Sequence, residues 1–182
     1  MNKFSAYNYF VIQVKTREEN KFIQQARKMF PDLKLYFPRR IIDLYQRGKT
    51  EPCIHPVFPG YVFLELDVDE SPYQYLLSFR KTEEFYRFLK SDKEITSLGN
   101  EDLKIVLHFI NRPGATAEKS NVYFDKNSRI VVLSGPLFGL EGKIVKVDRR
   151  KKRAKIFLDL CENNICIDLA FDVMDMTQKQ SA

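Results

Sequence analysis

The stretch HPVFPGYVFLEL, residues 55–66, decides the fold of the first half of this chain. Its second half predicts a strand with two unlike faces, because successive side chains of a strand point to opposite sides of a sheet. One face is aliphatic and the other is aromatic: Val62, Leu64 and Leu66 against Tyr61, Phe63 and Glu65. We expect helices to bury the aliphatic face. The aromatic face is expected to be open to solvent, because it ends in a carboxylate.

The aromatic face has two interpretations. Tyr9, Val11 and Gln13 of the first predicted strand adjoin it, and contiguous exposed aromatic residues on a rigid sheet are typical of a protein interface. Alternatively, another helix covers this face as a second core layer, and the spacing alone does not separate the two. Phe58 has no assigned side, because Pro59 interrupts the alternation where its direction would be decided.

The elements around this strand predict an α+β domain with the helices on one face of the sheet. Thr16 and Glu19 have the spacing of a capping box before an amphipathic helix that Pro31 stops. The other predicted elements are a strand over 9–14, an antiparallel pair across 33–66 that turns near Gly48, a helix from Ser71 and Pro72 through Arg80, a strand over 83–90, and a helix that opens at Asn100 with Leu103, Val106, Leu107 and Ile110 inward.

The stretch NRPGATAEKSN, residues 111–121, has the small and polar composition of a linker and marks a domain boundary. Beyond it, apolar residues recur at every second position in segments between Ile130 and Leu169, which predicts four or five short strands. We expect a small closed β-barrel, since closure removes the strand edges that would otherwise aggregate. The predicted domains are 1–111 and 124–178, joined by a flexible linker over 112–123.

The composition is that of a basic globular protein. Thirty Lys and Arg residues against 24 Asp and Glu residues give a net charge of +6, which favours a polyanionic partner without requiring one. The three cysteines are an odd number, and no apolar run of signal-peptide length precedes them, so we expect a reduced cytoplasmic protein. No stretch approaches the roughly 18 apolar residues of a membrane span, so no membrane insertion is expected.

The segment VDRRKKRAKI predicts a strongly basic turn between two strands of the barrel. Its five consecutive cations are Arg149, Arg150, Lys151, Lys152 and Arg153. Such a cluster binds phosphates with an affinity that falls as salt rises, and the alternative is a turn that only improves solubility. A second basic set near predicted strand ends either extends this surface or is scattered surface charge: Lys15, Arg17, Arg39 and Arg40.

Enzymatic chemistry finds little support in the sequence. His55 and His108 have no cysteine or carboxylate at ligand spacing, so we expect no metal site. The chain has no phosphate-binding glycine loop and no nucleophile motif, so no cofactor and no catalytic residue are expected. A turn at Asn163 and Asn164 would place Cys161 opposite Cys166 across a hairpin, where they either pack as small apolar residues or form a redox switch.

Together these stretches resemble the NusG family of transcription elongation factors. The segment YFVIQVKTREENKFI looks like the opening strand and helix of that family, and PVFPGYVFLEL looks like its central strand. The segment SRIVVLSGPLFGLEGKIVKVDRRKKRAKIFLDL looks like its KOW motif. The resemblance spans almost the whole chain and implies an N-terminal NusG-type domain followed by a C-terminal SH3-like KOW β-barrel.

The resemblance also implies partners. In this family the first domain binds the clamp helices of RNA polymerase and makes the enzyme pause less. The residues that match the clamp-helix patch are Gln13, Tyr61, Phe63 and Arg80, and Tyr9 and Phe58 border them. The KOW barrel of relatives recruits a ribosomal protein or Rho, and we expect the chain to be a monomer.

The stretches FPRR, VFPGYVFLE and RKKRAKIFLDL are similar to the LoaP-type antiterminators, with RfaH more distant. LoaP-like members recognise an RNA hairpin in the leader of long operons, which implies an RNA-binding role for the basic turn. The alternative is a general elongation factor that couples polymerase to the ribosome or Rho without recognising a specific nucleic acid.

Overall fold

The computed structural model describes residues 6–89, 91 and 93–175. The elements in chain order are β1 (Tyr7–Val14), α1 (Glu19–Met29), β2 (Lys34–Tyr36), β3 (Arg39–Gln46), β4 (Lys49–Pro56), β5 (Tyr61–Asp67), α2 (Tyr73–Phe79), β6 (Phe85–Phe88), α3 (Asn100–Ile110), β7 (Thr116–Ala117), β8 (Ser120–Phe124), β9 (Ile130–Ser134), β10 (Ile144–Asp148), β11 (Arg153–Leu160) and β12 (Asn163–Val173). This mixture of helices and antiparallel strands confirms the predicted α+β class.

The chain divides into two compact units. The first unit contains Phe58–Ile110 and the described residues up to Phe37, and the second contains Pro38–Val57 and the described residues from Asn111 onward. The β3–β4 hairpin therefore lies in the same compact unit as the C-terminal strands. The predicted linker over 112–123 holds a 3-10 turn at Pro113–Ala115, β7 and most of β8.

The predicted domain limits of 1–111, 112–123 and 124–178 stay a prediction. Their outer ends at residues 1 and 178 lie outside the described residues, as does residue 90 of the predicted strand over 83–90.

The first unit is a four-stranded sheet with the order β2-β5-β1-β6. Its aliphatic face carries Val62, Leu64 and Leu66, which are all buried as predicted. Helices α1 and α2 cover this face with apolar side chains at helical spacing, and Phe22 of α1 and Phe79 of α2 meet with ring centroids 5.2 Å apart. The core of this unit lies between these helices and the sheet.

The start of α1 differs from the capping box predicted for Thr16 and Glu19. The helix begins at Glu19 without a side-chain cap, and the buried Glu19 carboxylate instead accepts a hydrogen bond of 2.8 Å from the backbone N–H of Gly60. Gly60 has φ +80°, a conformation that side chains disfavour. The contact joins the residue before β5 to the first residue of α1. Thr16 lies before the helix and does not cap it.

Of two further predictions for the first half, one is confirmed in part and one is wrong. The antiparallel pairing that turns near Gly48 is confirmed by β3 and β4. The predicted segment across 33–66 holds four strands, however, because β2 and β5 pair within the sheet of the first unit. The helices do not share one face of the sheet, because α3 covers the opposite face. Its Phe109 ring packs 5.7 Å from Phe58, and Phe58 packs 5.4 Å from Phe63.

The second unit contains two sheets, with the orders β4-β3-β7 and β10-β11-β12-β8-β9. The alternation in β11 has the predicted effect, since Ala154, Ile156 and Leu158 are buried and the residues between them are more exposed. Among the described residues no ladder joins β9 to β10, so the larger sheet is a half-barrel, which is consistent with the predicted KOW-type domain.

The turn between β11 and β12 corrects the prediction for the cysteines. The turn residues are Cys161 and Glu162, with φ of 52° and 65°, and not Asn163 and Asn164. This shifts the register so that Cys166 lies opposite Phe157, and Cys161 lies in the turn. Cys161 and Cys166 form no disulfide, and they do not face each other across the hairpin.

Candidate functional site

The aromatic face of the sheet in the first unit is mostly a second core layer. Phe58 and Phe63 are fully buried beneath α3, and Val11 beside them is 2% exposed. The expectation that Phe63 lies on an open surface is therefore wrong. Alternation assigned Phe63 to the correct face, but the sequence did not show which face α3 would cover.

The carboxylate that was expected to mark the solvent side is buried. Glu65 accepts hydrogen bonds from the Tyr9 hydroxyl at 2.7 Å, the Tyr36 hydroxyl at 3.0 Å and the Lys34 ammonium at 2.8 Å. These groups lie on neighbouring strands, because Tyr9 and Lys34 are the two cross-strand partners of Glu65. Lys34 also lies over the ring of Tyr7, 4.4 Å from its centroid. We call Glu65, Tyr9, Tyr36 and Lys34 the carboxylate–phenol network.

The network shifts the proton affinities of its members. Burial raises the pKa of Glu65, but the hydrogen bonds from Lys34, Tyr9 and Tyr36 outweigh it, so that its pKa lies below the usual value. Burial, and then the hydrogen bond to the carboxylate, raises the pKa of Tyr9. The network is thus a stable charged arrangement at neutral pH.

Three polar or aromatic residues form a row across β5, β1 and β6 on the same face. Gln13 lies between Tyr61 and Arg87 in the strand register, and the Arg87 Nε donates a hydrogen bond of 2.9 Å to the Gln13 Oε1. Tyr61 and Gln13 are half-buried and Arg87 is exposed. We call these residues the polar row. Arg80, the fourth residue of the predicted patch, is exposed at the end of α2, the helix that packs on the aliphatic face.

Arg87 was missed by the sequence analysis. A β-bulge between Gln13 and Val14 breaks the alternation of β6, so that Phe85 and Phe88 both enter the core and Arg87 turns outward. Nothing in a four-residue strand predicts such a bulge.

The predicted basic turn, residues 149–153, connects β10 and β11 as expected. Three of its members have side-chain partners. Arg149 stacks on Phe124, 3.9 Å from the ring centroid, and Arg153 donates to the Asp43 carbonyl. Lys152 lies 3.9 Å from a carboxylate oxygen of Asp172. Arg150 and Lys151 are exposed, and neither has a carboxylate within ion-pair distance in the described part of the chain.

The second predicted basic set is divided between the units. Lys15 and Arg17 belong to the first unit, where Lys15 pairs with Glu18 at 2.6 Å. Arg39 and Arg40 belong to the second unit. Burial lowers the pKa of Arg40, partly offset by Asp168.

A groove of about 770 Å³ lies in the second unit between the basic turn and the β3–β4 hairpin. The turn contributes Arg150, Lys151, Lys152 and Arg153, and the hairpin contributes Tyr45 and Thr50 among others. The Tyr45 side chain is 75% exposed. The sequence analysis missed this contribution of the hairpin, because it assigned residues 39–56 to the N-terminal domain.

Within residues 6–89, 91 and 93–175, no three His, Cys, Asp or Glu side chains are grouped so that they could bind a metal ion. No helix in the same residues is long and apolar enough to cross a membrane.

Two protein-family models match the chain. The family described as "Transcription termination factor nusG" matches residues 7–107, which is more than half of the chain. The family described as "KOW motif" matches residues 126–159, which include the basic turn.

Individual relatives have a low sequence identity to this chain, and the matches cover similar shares of both chains. The transcription termination/antitermination protein NusG of Helicobacter pylori (strain ATCC 700392 / 26695) is 23% identical over 129 residues, 71% of this chain and 70% of that protein. NusG of Bacillus subtilis (strain 168) is 21% identical over 175 residues, 92% of this chain and 97% of that protein. A solved structure described as "Domain interaction in Thermotoga maritima NusG" matches this chain with a TM-score of 0.51 and 15% sequence identity. The match covers 90% of this chain and 93% of the chain in that structure. At this identity the likeness to the solved structure concerns the fold alone.

Proposed function

The chain belongs to the NusG family of transcription termination and antitermination factors, and on that premise we propose that it is an antiterminator recruited by a hairpin in a leader RNA. It docks on the clamp helices of RNA polymerase through its first unit and suppresses pausing and termination. The observation that carries RNA recruitment is a pair of exposed cations in the basic turn, Arg150 and Lys151, which have no carboxylate within ion-pair distance among the described residues. Its LoaP-like sequence stretches favour the same function.

The polar row supports docking on polymerase better than the buried phenylalanines do. Tyr61, Gln13 and Arg87 lie on the aromatic face, and each reaches the surface near the covered Phe58 and Phe63. Aromatic and arginine side chains contribute disproportionately to protein interfaces. Tyr9, Phe58 and Phe63 are buried, so in this proposal they stabilise the sheet and do not contact the partner.

The docking proposal is tested by removing the row without touching the core. We expect Gln13→Ala combined with Arg87→Ala to weaken binding of the full chain to purified RNA polymerase about tenfold, measured by fluorescence anisotropy. The matched control is Lys28→Ala, which removes an exposed cation of α1. Unchanged binding in the double variant, with the control also unchanged, would overturn the polar row as the docking surface.

The recruitment proposal is tested with nucleic acids of matched length. Gel shifts of the full chain should show tighter binding to leader RNA hairpins than to double-stranded or single-stranded DNA. Arg150→Ser with Lys151→Ser should weaken RNA binding and flatten its dependence on salt, because two phosphate contacts are lost. Equal binding to all three nucleic acids would instead favour a general elongation factor that couples polymerase to the ribosome or Rho. Read-through of a terminator downstream of the hairpin then measures the function itself.

A further inference from the structure

We propose that the β3–β4 hairpin and the basic turn form one groove that binds unpaired nucleotides of an RNA, with Tyr45 as the residue on which a base stacks. The inference rests on the proposed RNA recruitment and names the part of the RNA that is recognised. It gives Tyr45 of the hairpin a binding role that neither the family matches nor the sequence assigned to it.

The hairpin is fixed in the second unit by its middle residues. The Asp43 carboxylate pairs with the Lys119 ammonium at 2.6 Å, and the Asp43 carbonyl accepts a hydrogen bond from the Arg153 guanidinium. β3 also pairs in parallel with β7, where Arg40 lies opposite Ala117. Asp43 and Arg153 thereby join the hairpin directly to the end of the basic turn.

The charge of the groove favours a polyanion. Its wall in the basic turn carries four cations, and the only carboxylate among its lining residues is Asp43, which Lys119 already neutralises. On the other side of the turn, Lys146 lies directly opposite Lys155 on the neighbouring strand, with Asp168 next in the row. Like charges directly opposite each other destabilise a sheet, and a bound phosphate chain would relieve this repulsion.

The shape of the groove favours unpaired nucleotides over a duplex. Its volume of about 770 Å³ lies within the range of sites that enclose small ligands, which matches one or two unpaired bases. The Tyr45 ring is largely exposed on the hairpin wall, opposite Thr50 in the strand register. Bases of single strands stack on such rings, and recognition of RNA generally targets unpaired loops.

The experiment compares three probes on the full chain by fluorescence anisotropy at fixed salt. The probes are an RNA hairpin with a six-nucleotide loop, its stem as a blunt duplex, and a single-stranded DNA with the loop sequence. We expect Tyr45→Ala to weaken hairpin binding about tenfold and to leave duplex binding unchanged. Tyr45→Phe, which keeps the ring, should restore hairpin binding. Phe138→Ala is the matched control, because it removes another exposed ring of the same unit.

The outcomes separate this inference from the function on which it rests. If the wild-type chain binds none of the RNA probes, the proposed recruitment by RNA is wrong and the groove with it. If the chain binds RNA through Arg150 and Lys151 but Tyr45→Ala has no effect, only the groove is overturned. Equal affinity for hairpin and duplex, or tighter binding to the single-stranded DNA, also overturns it.

The role of the docked hairpin has its own test. Asp43→Lys should weaken binding to the RNA hairpin, because repulsion by Lys119 displaces the Tyr45 wall. Combining it with Lys119→Asp restores the ion pair in reverse and should recover most of the affinity. Failure of the charge swap to recover any binding, with the folded state confirmed by circular dichroism, contradicts a positioning role for this ion pair.

Discussion

The two faces of the sheet in the first unit come from the same alternating strands but are built differently. The aliphatic face is a continuous apolar core beneath α1 and α2. The aromatic face combines a phenylalanine cluster beneath α3, a buried carboxylate held by two phenols and a lysine, and the partly exposed polar row. The difference shows that alternation fixes the face of a residue. The covering element and the available hydrogen-bond donors decide whether that face is core or surface.

The sharpest test of this comparison is to truncate one side chain on each face. We expect Phe63→Ala to destabilise the chain by about 4 kcal/mol, close to the effect of Leu64→Ala, because both residues are fully buried. The free energy of unfolding is measured in urea. If α3 does not cover the aromatic face, Phe63→Ala will cost less than about 1 kcal/mol. Because Phe63→Ala is expected to destabilise the fold, loss of polymerase binding in this variant would not show that Phe63 contacts polymerase.

The carboxylate–phenol network gives the next largest effect. Glu65→Ala should cost about 3 kcal/mol, because it leaves the buried Tyr9 hydroxyl and its neighbours without an acceptor. Glu65→Gln keeps one acceptor oxygen and should cost about half as much. The control is Glu118→Ala, an exposed carboxylate of the second unit, which should be within about 0.5 kcal/mol of wild type. Equal losses of unfolding free energy in Glu65→Ala and Glu118→Ala would mean that Glu65 and the aromatic face are exposed to solvent, as the sequence suggested.

The pH dependence of stability also distinguishes the two faces. The folded-state pKa of Glu65 is lower than its usual value, so its network stabilises the fold above the unfolded pKa and loses that contribution as pH falls through the folded pKa. The stability advantage of wild type over Glu65→Gln should therefore shrink between about pH 6 and about pH 3. Leu64 carries no titratable group, so the deficit of Leu64→Ala should stay constant. A gap for Glu65→Gln that widens on acidification would contradict the direction of the shift.

Much of the fold followed from local patterns. The apolar spacing of Phe22, Ile23 and Ala26 and the alternation of β5 and β11 predicted the core of each unit, because burial depends on period. The bulge in β6 and the placement of the β3–β4 hairpin with the C-terminal strands were not predictable in this way. Both depend on contacts between residues far apart in the sequence.

The candidate sites were also predictable only in part, where the signal lay in consecutive residues. The basic turn was visible as five consecutive cations, and the structure only separated Arg149 and Arg153, which have structural partners, from Arg150 and Lys151. Tyr45 and Arg87 were not predicted as site residues, because each belongs to a candidate site only through its neighbours on another element. An isolated exposed tyrosine or arginine carries no signal in one sequence.

The smallest expected effect on stability concerns the polar row. Arg87→Ala breaks an exposed hydrogen bond to Gln13 and should change the free energy of unfolding by less than about 0.5 kcal/mol, since water replaces the lost partner. The contrast with Phe63, two strands away on the same face, is then about tenfold in free energy. If truncation of Arg87 at the edge of the face costs little and truncation of Phe63 at its centre costs much, the face has exposed contact residues held by a buried core. A cost for Arg87→Ala above about 1.5 kcal/mol would assign the polar row to the core and remove the basis for its proposed contact with polymerase.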